Sequence, residues 1–459
     1  MRIRSYDIQH IGCILFLVYI FLYDLSNALL GNWVSLIVVI LAEALCFASI
    51  QKGEQRYKVP KIYLKKILPW LFFALLFVIP RNQLAARNIY FSTIRWLMAV
   101  LLMCMIAYKN EEYEHITRSI CVIGFLHVLA TWVLYFVPSL YKGLYKIWGE
   151  WPVGTAKGQL VYKAGLTGHY SRSAIALISV LLILTAAVTV YLQKKEMATR
   201  FTFTRTAVTA ALFVLTLGAL FLTAKRSALL FGLGAMVLGY VAYGNKKNSF
   251  LRLVVIMAAM LAAVLILSRF LAPVRIVIDR FLELGSDSST INRLKMWRIA
   301  LELFAEHPVI GIGWEGFKYQ YYLKIGAQSA GAYDFLDAHN VYLQVLAETG
   351  ITGFALYCFC VFSTFMTTLK LLKAKDRIAR DADKIAVLYA FMYQVYYILY
   401  CVTGNCLYDI TFVHYAIANG LVYGVYTKTV MAGKTDPYRV KAAAFQNAMK
   451  TNSIKINAM

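Results

Sequence analysis

The chain has 459 residues, 60% hydrophobic and 15% charged, with mean hydropathy +0.62 and formal net charge +24. A soluble domain carries about a quarter charged residues, and β-barrel strands would alternate apolar and polar residues; neither pattern is present. The cations sit in short segments between apolar runs, as the positive-inside rule requires, so the charge does not point to nucleic acid.

Apolar runs near 20 residues recur, each long enough to cross a hydrocarbon core of roughly 30 Å. The chain reads as an all-α polytopic membrane protein, a single integral membrane domain over 1–459. Twelve spans are expected, over 10–30, 33–50, 67–80, 92–108, 119–137, 170–192, 206–224, 227–244, 251–268, 339–370, 384–403 and 408–428. The first follows Met1-Arg-Ile-Arg4 without a small-residue cleavage site and reads as a retained helix. The third lies between Pro69 and Pro80.

Dense basic segments run from Gln51 to Lys66, from Gln193 to Arg205, at Lys246-Lys247, from Lys370 to Lys384 and in the C-terminal tail. Their placement in the cytoplasm puts both termini there, in a cytoplasmic (inner) membrane. It leaves Arg81 to Arg87, 138–169, Lys225-Arg226 and 269–338 outside. Of these, 138–169 and 269–338 are sizeable outer loops, and loops that long carry function or their own structure. Most cysteines lie inside apolar runs and read as small packing residues; Cys401 and Cys406 flank a short outer turn and are close enough in sequence to pair.

Near residue 165 the segment Gly165-Leu-Thr-Gly168-His169-Tyr170-Ser171-Arg172-Ser173 places His169 and Arg172 at an outer boundary. Farther on, Thr223-Ala-Lys225-Arg226-Ser227 is a tight hairpin between two spans, whose cations either snorkel to headgroups or bind an anion. In the larger loop, Leu294, Trp297, Ala300, Leu301 and Phe304 recur at helical spacing. They predict an amphipathic helix at the membrane surface or over the bundle. It carries Arg293 and Arg298 on different faces and ends at Pro308 and Gly311-Ile-Gly313. Tyrosines and tryptophans such as Trp148, Trp314 and Tyr322 crowd the outer segments, as interfacial belts do; sugars also stack on such rings.

His339-Asn340, nine residues, then Gly350-Ile-Thr-Gly353 opens the tenth span. Asn340, Gln344 and Glu348 repeat every four residues and form a polar stripe, costly at membrane depth unless it faces a bundle interior or watered cavity. The alternative is an Asn N-cap with helix–helix hydrogen bonds. Gly350 and Gly353 are expected to allow close helix packing. Asp334-x-x-Asp337-x-His339 contains ligand types for a divalent cation, but the spacing is not specific; Asp337 reads better as orienting the imidazole. Tyr342 stands beside the pair as a further contact.

Three segments together resemble the O-antigen ligase and polysaccharide polymerase superfamily. His339-Asn340-x9-Gly350-x-x-Gly353 is similar to its His-Asn/Ser/Gln-x9-Gly-x-x-Gly signature. Arg293-x3-Trp297-x2-Ala300-Leu301-x5-His307-Pro308-x2-Gly311-x-Gly313 resembles a stretch of its large loop. Thr223-Ala-Lys225-Arg226-Ser227 resembles its Thr-x-Ser-Arg-Gly hairpin, with Lys225 in place of the Ser and Ser227 in place of the Gly. The resemblance covers roughly residues 160–360. It implies a membrane glycosyltransferase that moves a glycan from an undecaprenyl-diphosphate carrier to an acceptor hydroxyl on a glycan or lipid-linked partner, without cofactor or metal and with inversion. Such enzymes serve surface polysaccharide, lipopolysaccharide or capsule synthesis. His339, Arg226 and Arg293 are then the expected catalytic residues; Asn340, Lys225, Arg298, Arg172, His169 and Tyr342 are the expected substrate contacts. A polysaccharide or glycolipid flippase is the competing reading; it would be favoured by internal repeats, and none is visible.

Overall fold

The structure, a computed structural model, describes residues 61–75, 86–108, 113–140, 165–193, 200–244, 272–282, 288–325, 336–407 and 409–431, with scattered positions elsewhere. Among these residues every regular element is helical. The helices are α1 (Lys61–Leu75), α2 (Ala86–Tyr108), α3 (Tyr113–Phe136), α4 (Tyr170–Leu192), α5 (Arg200–Leu222), α6 (Arg226–Tyr243), α7 (Ala272–Leu282), α8 (Ser288–Glu306), α9 (Gly316–Ile325), α10 (Val341–Lys373), α11 (Asp381–Tyr400) and α12 (Ile410–Tyr426). The spans expected at 10–30, 33–50 and 251–268 lie outside the described stretches. Among the described residues four helices are long and apolar enough to cross a membrane: Ile116–Phe136 within α3, α4, α6 and α10. The others are shorter or carry charges; α11, for instance, opens on Asp381 and Asp383.

Two expected spans shift. The third starts at Lys61, earlier than the expected 67, because Pro69 sits inside α1 and does not bound it; its expected end at 76–80 lies outside the described residues. The tenth is two helices: Gly350 has φ 63° and ψ −168°, so the helical path breaks there. Gly350 thus breaks the helix and also allows close approach, since a Cβ there would lie 2.4 Å from the Val309 carbonyl, and only Gly can adopt that backbone without strain.

α4 is buried along most of its length and packs against α3, α5, α6 and α11. Lipid gives helices no hydrophobic reason to associate, so close contact and interhelical hydrogen bonds must hold them. Gly232 of α6 supplies such contact; a Cβ there would lie 2.3 Å from Ile178 of α4. Interhelical bonds join Ser179 to Tyr389 (2.9 Å), Gln394 to Asn419 (3.0 Å) and Thr364 to Tyr423 (2.6 Å).

The second side of the bundle is aromatic. Trp70 and Phe73 of α1, Trp96 of α2, Tyr357 of α10 and Phe412 of α12 meet within 4.1–6.4 Å, with Trp96 stacked on Phe412. Trp314, from the large loop, enters this cluster 6.2 Å from both Phe73 and Trp96 and is 2% exposed. The loop is therefore pinned into the bundle at one side chain.

The helix expected around 291–306 is α8. Its buried face is Met296, Ile299, Ala300 and Leu303, packed on Phe317, Tyr321, Ala338 and Ala347. Of the apolar residues that predict this helix, Ala300 is buried, while Leu294 and Leu301 are 57% and 50% exposed. Contact with α9 and α10 covers the other face.

Candidate functional site

Five helix ends meet at one end of the bundle: the N-termini of α4, α6, α10 and α12 and the C-terminus of α11. Three of the starts are fixed by side-chain caps. His169 Nδ1 accepts from Ser171 N (2.9 Å), Asn340 Oδ1 from Leu343 N (3.1 Å), and Asp409 Oδ1 from Ile410 N (2.7 Å). Each cap satisfies an orphan amide of a first turn. The fourth start follows the tight turn Thr223-Ala224-Lys225, where Ala224 takes φ 50° and Thr223 Oγ1 accepts from Lys225 N (3.3 Å). Between helices, Val341 N donates to the carbonyl of Cys401 (2.8 Å), and Arg172 Nε lies 3.5 Å from Asp409 Oδ1.

The Lys225 ammonium lies 5.6 Å from the Tyr170 ring centre and 5.9 Å from that of Tyr400. This double cation–π contact holds its charge toward the two histidines. Burial, then the charges of Lys225 and Arg293, push His339 down to about 3. Burial, then Lys225 and His339, push His169 down to about 3. Both imidazoles are neutral at neutral pH. His169 spends Nδ1 on its cap, so its remaining hydrogen resides on Nε2. Arg293 also acts on the Tyr400 phenol. Thus His169, Lys225, Arg293 and His339 share one electrostatic environment although they come from four separate segments.

Each helix N-terminus adds a partial positive charge of about half a unit. Four of them, with Lys225 and Arg293, make this end strongly anion-seeking.

A second network lies behind His339. The residue itself takes a left-handed backbone, φ 51°. Gln344 Oε1 accepts from Ala338 N (3.3 Å), and its Nε2 donates to Asp337 Oδ1 (3.1 Å) and to Glu348 Oε1 (3.2 Å). Glu348 Oε1 also accepts from Phe317 N (3.2 Å), near the start of α9. Burial alone would lower Lys318, but the carboxylates of Asp337, Glu315 and Glu348 overcome it and raise its pKa. Lys318 Nζ lies 3.3 Å from Glu315.

The segment 308–313 completes the broken helix. Ile312 N and Gly313 N donate to the carbonyls of Ala347 (3.0 Å) and Glu348 (2.8 Å); Ile351 N and Thr352 N donate to those of Pro308 (2.9 Å) and Val309 (3.3 Å). The groups freed by the break at Gly350 are satisfied from the loop, as buried backbone requires.

Several expected site residues stand apart. Arg298 is exposed and pairs with Glu302 at 3.0 Å along α8. Tyr342 donates its hydroxyl to the Ile398 carbonyl (2.9 Å). Asn340 gives its carbonyl oxygen to the cap, leaving only its amide group for other contacts. Arg226 is the first residue of α6 and half-buried; of the hairpin pair, Lys225 is the cation whose field reaches the histidines. Cys401 and Cys406 are free thiols, hydrogen-bonded to one another. Asp334 lies outside the described residues, and among the described residues no group of three acidic, histidine or cysteine side chains could hold a metal. Tyr400, Asp409 and Lys318 were not legible as site residues, since no local motif marks them.

A search of curated proteins gave no match. Residues 211–358, about a third of the chain, match the O-antigen ligase family. That stretch runs from α5 into α10 and encloses Lys225, Arg226, Arg293 and His339. By this match the stretch from α5 into α10 is similar to the O-antigen ligase family.

Proposed function

We propose that the protein transfers a glycan from an undecaprenyl-diphosphate carrier to an acceptor hydroxyl, at the outer face of the cytoplasmic membrane. The observation that carries this reading is the convergence of four helix N-termini, Lys225 and Arg293 on the neutral His339. Such a field suits a diphosphate, which gains negative charge as it leaves, and cations there do the work a divalent metal does elsewhere. The acceptor oxygen attacks the anomeric carbon while the bond to the diphosphate oxygen breaks, and the electron pair departs with the diphosphate. Direct displacement inverts the carbon. His339 takes the acceptor proton or anchors that hydroxyl, Lys225 and Arg293 hold the diphosphate, and Arg226 contributes from the next helical position.

The opposite helix ends support the orientation. α10 ends on Lys370 and Lys373, and Lys375, Arg377, Arg380 and Lys384 follow. By the positive-inside rule that density supports a cytoplasmic location for these ends and an outer one for His339. The acceptor is another repeat unit in a polymerase or a terminal lipid or protein in a ligase.

The test is reconstitution with lipid-linked glycan extracted from the source cells, following release of undecaprenyl diphosphate. His339→Ala and Lys225→Ala are expected to lose transfer while remaining folded. Full activity in both variants would overturn the assignment.

A further inference from the structure

We propose that Gln344 is a positioning residue that sets His339 for the transfer step; this rests on His339 handling the acceptor hydroxyl as proposed above. The argument is geometric. His339 holds a left-handed backbone, φ 51°, which a side-chain-bearing residue keeps only when its surroundings impose it. The imposing group is the Gln344 amide, 1% exposed, which grips both residues preceding His339. Its oxygen accepts from Ala338 N and its nitrogen donates to Asp337 Oδ1.

The orientation of this amide is fixed by its partners. Nε2 faces two carboxylates, Asp337 and Glu348, while Oε1 faces an N–H; a flipped amide would set an oxygen against both carboxylates. Glu348 is anchored in turn by Phe317 N on α9, and Lys318 balances Asp337, Glu315 and Glu348. The chain α9–Glu348–Gln344–Ala338 therefore ties the large loop to the backbone that carries the imidazole. The sequence shows Gln344 only as the middle of a polar stripe; the structure shows its amide bonded to Ala338, Asp337 and Glu348, so its effect on transfer passes through the backbone that carries His339.

The test compares wild type, Gln344→Leu, Gln344→Glu, Asp337→Asn and His339→Ala, in the same transfer assay and in binding of undecaprenyl diphosphate alone. Gln344→Leu keeps the volume and removes all three bonds. Its kcat is expected to fall by about 10²-fold, the lower range for displacing an acid–base group, with undecaprenyl diphosphate binding within about twofold of wild type. Gln344→Glu guards against misfolding of the Leu variant. When protonated, it still donates to one carboxylate; when ionised, it opposes Asp337 and Glu348, with Lys318 of α9 and Glu315 just before that helix facing it and Lys225 and Arg293 beyond His339. Its kcat relative to wild type is expected to fall by about tenfold as pH rises from about 6 to about 8.5. Asp337→Asn keeps the acceptor and should retain activity within a few-fold. Wild-type kcat in both Gln344 variants at all pH, or loss of undecaprenyl diphosphate binding matching the loss of kcat, overturns the inference. Wild-type transfer by His339→Ala overturns instead the reading on which it rests.

Discussion

Gly311 and Gly350 interlock. A Cβ on Gly311 would lie 2.3 Å from the Glu348 carbonyl carbon, and one on Gly350 would lie 2.4 Å from the carbonyl of Val309. Both residues have positive φ, 66° and 63°. The loop glycine and the helix glycine thus let two backbones approach to hydrogen-bonding distance, which joins the large loop to the helix that begins after His339.

Substitution of either glycine by alanine meets backbone rather than a movable side chain. Gly350→Ala and Gly311→Ala are each expected to destabilise the protein by about 2–4 kcal/mol, combining strain and overlap. Thermal unfolding in detergent measures this. Gly234→Ala, with open space around its Cβ position, should leave the midpoint near wild type.

Trp314 is the side-chain counterpart of that backbone joint. Trp314→Ala removes a ring buried among Phe73 and Trp96 and is expected to cost about 3–5 kcal/mol. Because α8 and α9 flank this anchor, protease sensitivity within the large loop should rise before the bundle unfolds. Equal sensitivity to wild type would mean that the glycine joint alone holds the loop.

The depressed histidines make activity depend on pH in a specific order. In the free protein His339 titrates near 3 because burial, Lys225 and Arg293 disfavour its cation. A bound diphosphate neutralises those charges, so the pKa rises in the donor complex. The acid limb of kcat, which reports the complex, should therefore lie at higher pH than the acid limb of kcat/KM, which reports the free protein. In Lys225→Ala, whose transfer is lost, the His339 imidazole itself should titrate at higher pH than in wild type, which NMR of the ring protons reads. Coincident limbs in wild type would exclude this coupling.

The same shifts act on stability. His339 and His169 have folded values below the unfolded value of about 6.5. Their neutral forms stabilise the fold above that pH, and the contribution is lost as pH falls from about 6.5 toward about 3. The unfolding midpoint should drop across this window, and less steeply in a His339→Gln, His169→Gln double variant.

Asn340→Ala separates capping from contact. Loss of the cap to Leu343 N should cost about 1 kcal/mol. Asn340→Asp restores the cap and adds a negative charge beside Lys225 and Arg293. It should recover the midpoint while weakening binding of undecaprenyl diphosphate.

The sequence by itself determined the class of protein, because hydropathy and the placement of cations do not depend on how helices pack. It also determined where most described helices lie, to within a few residues, and the His339-Asn340 and Lys225-Arg226 motifs, because those are local patterns. The tertiary structure decided which face of α8 is buried, because contact with α9 and α10 covers Met296, Ile299 and Leu303 and leaves Leu294 and Leu301 exposed. It made Gly350 a break, because that depends on a loop some forty residues earlier filling the gap. It also brought Lys225 between Tyr170 and Tyr400 and Gln344 behind His339: these partners lie on different segments or across the start of α10, and only packing brings their charges and amides within reach.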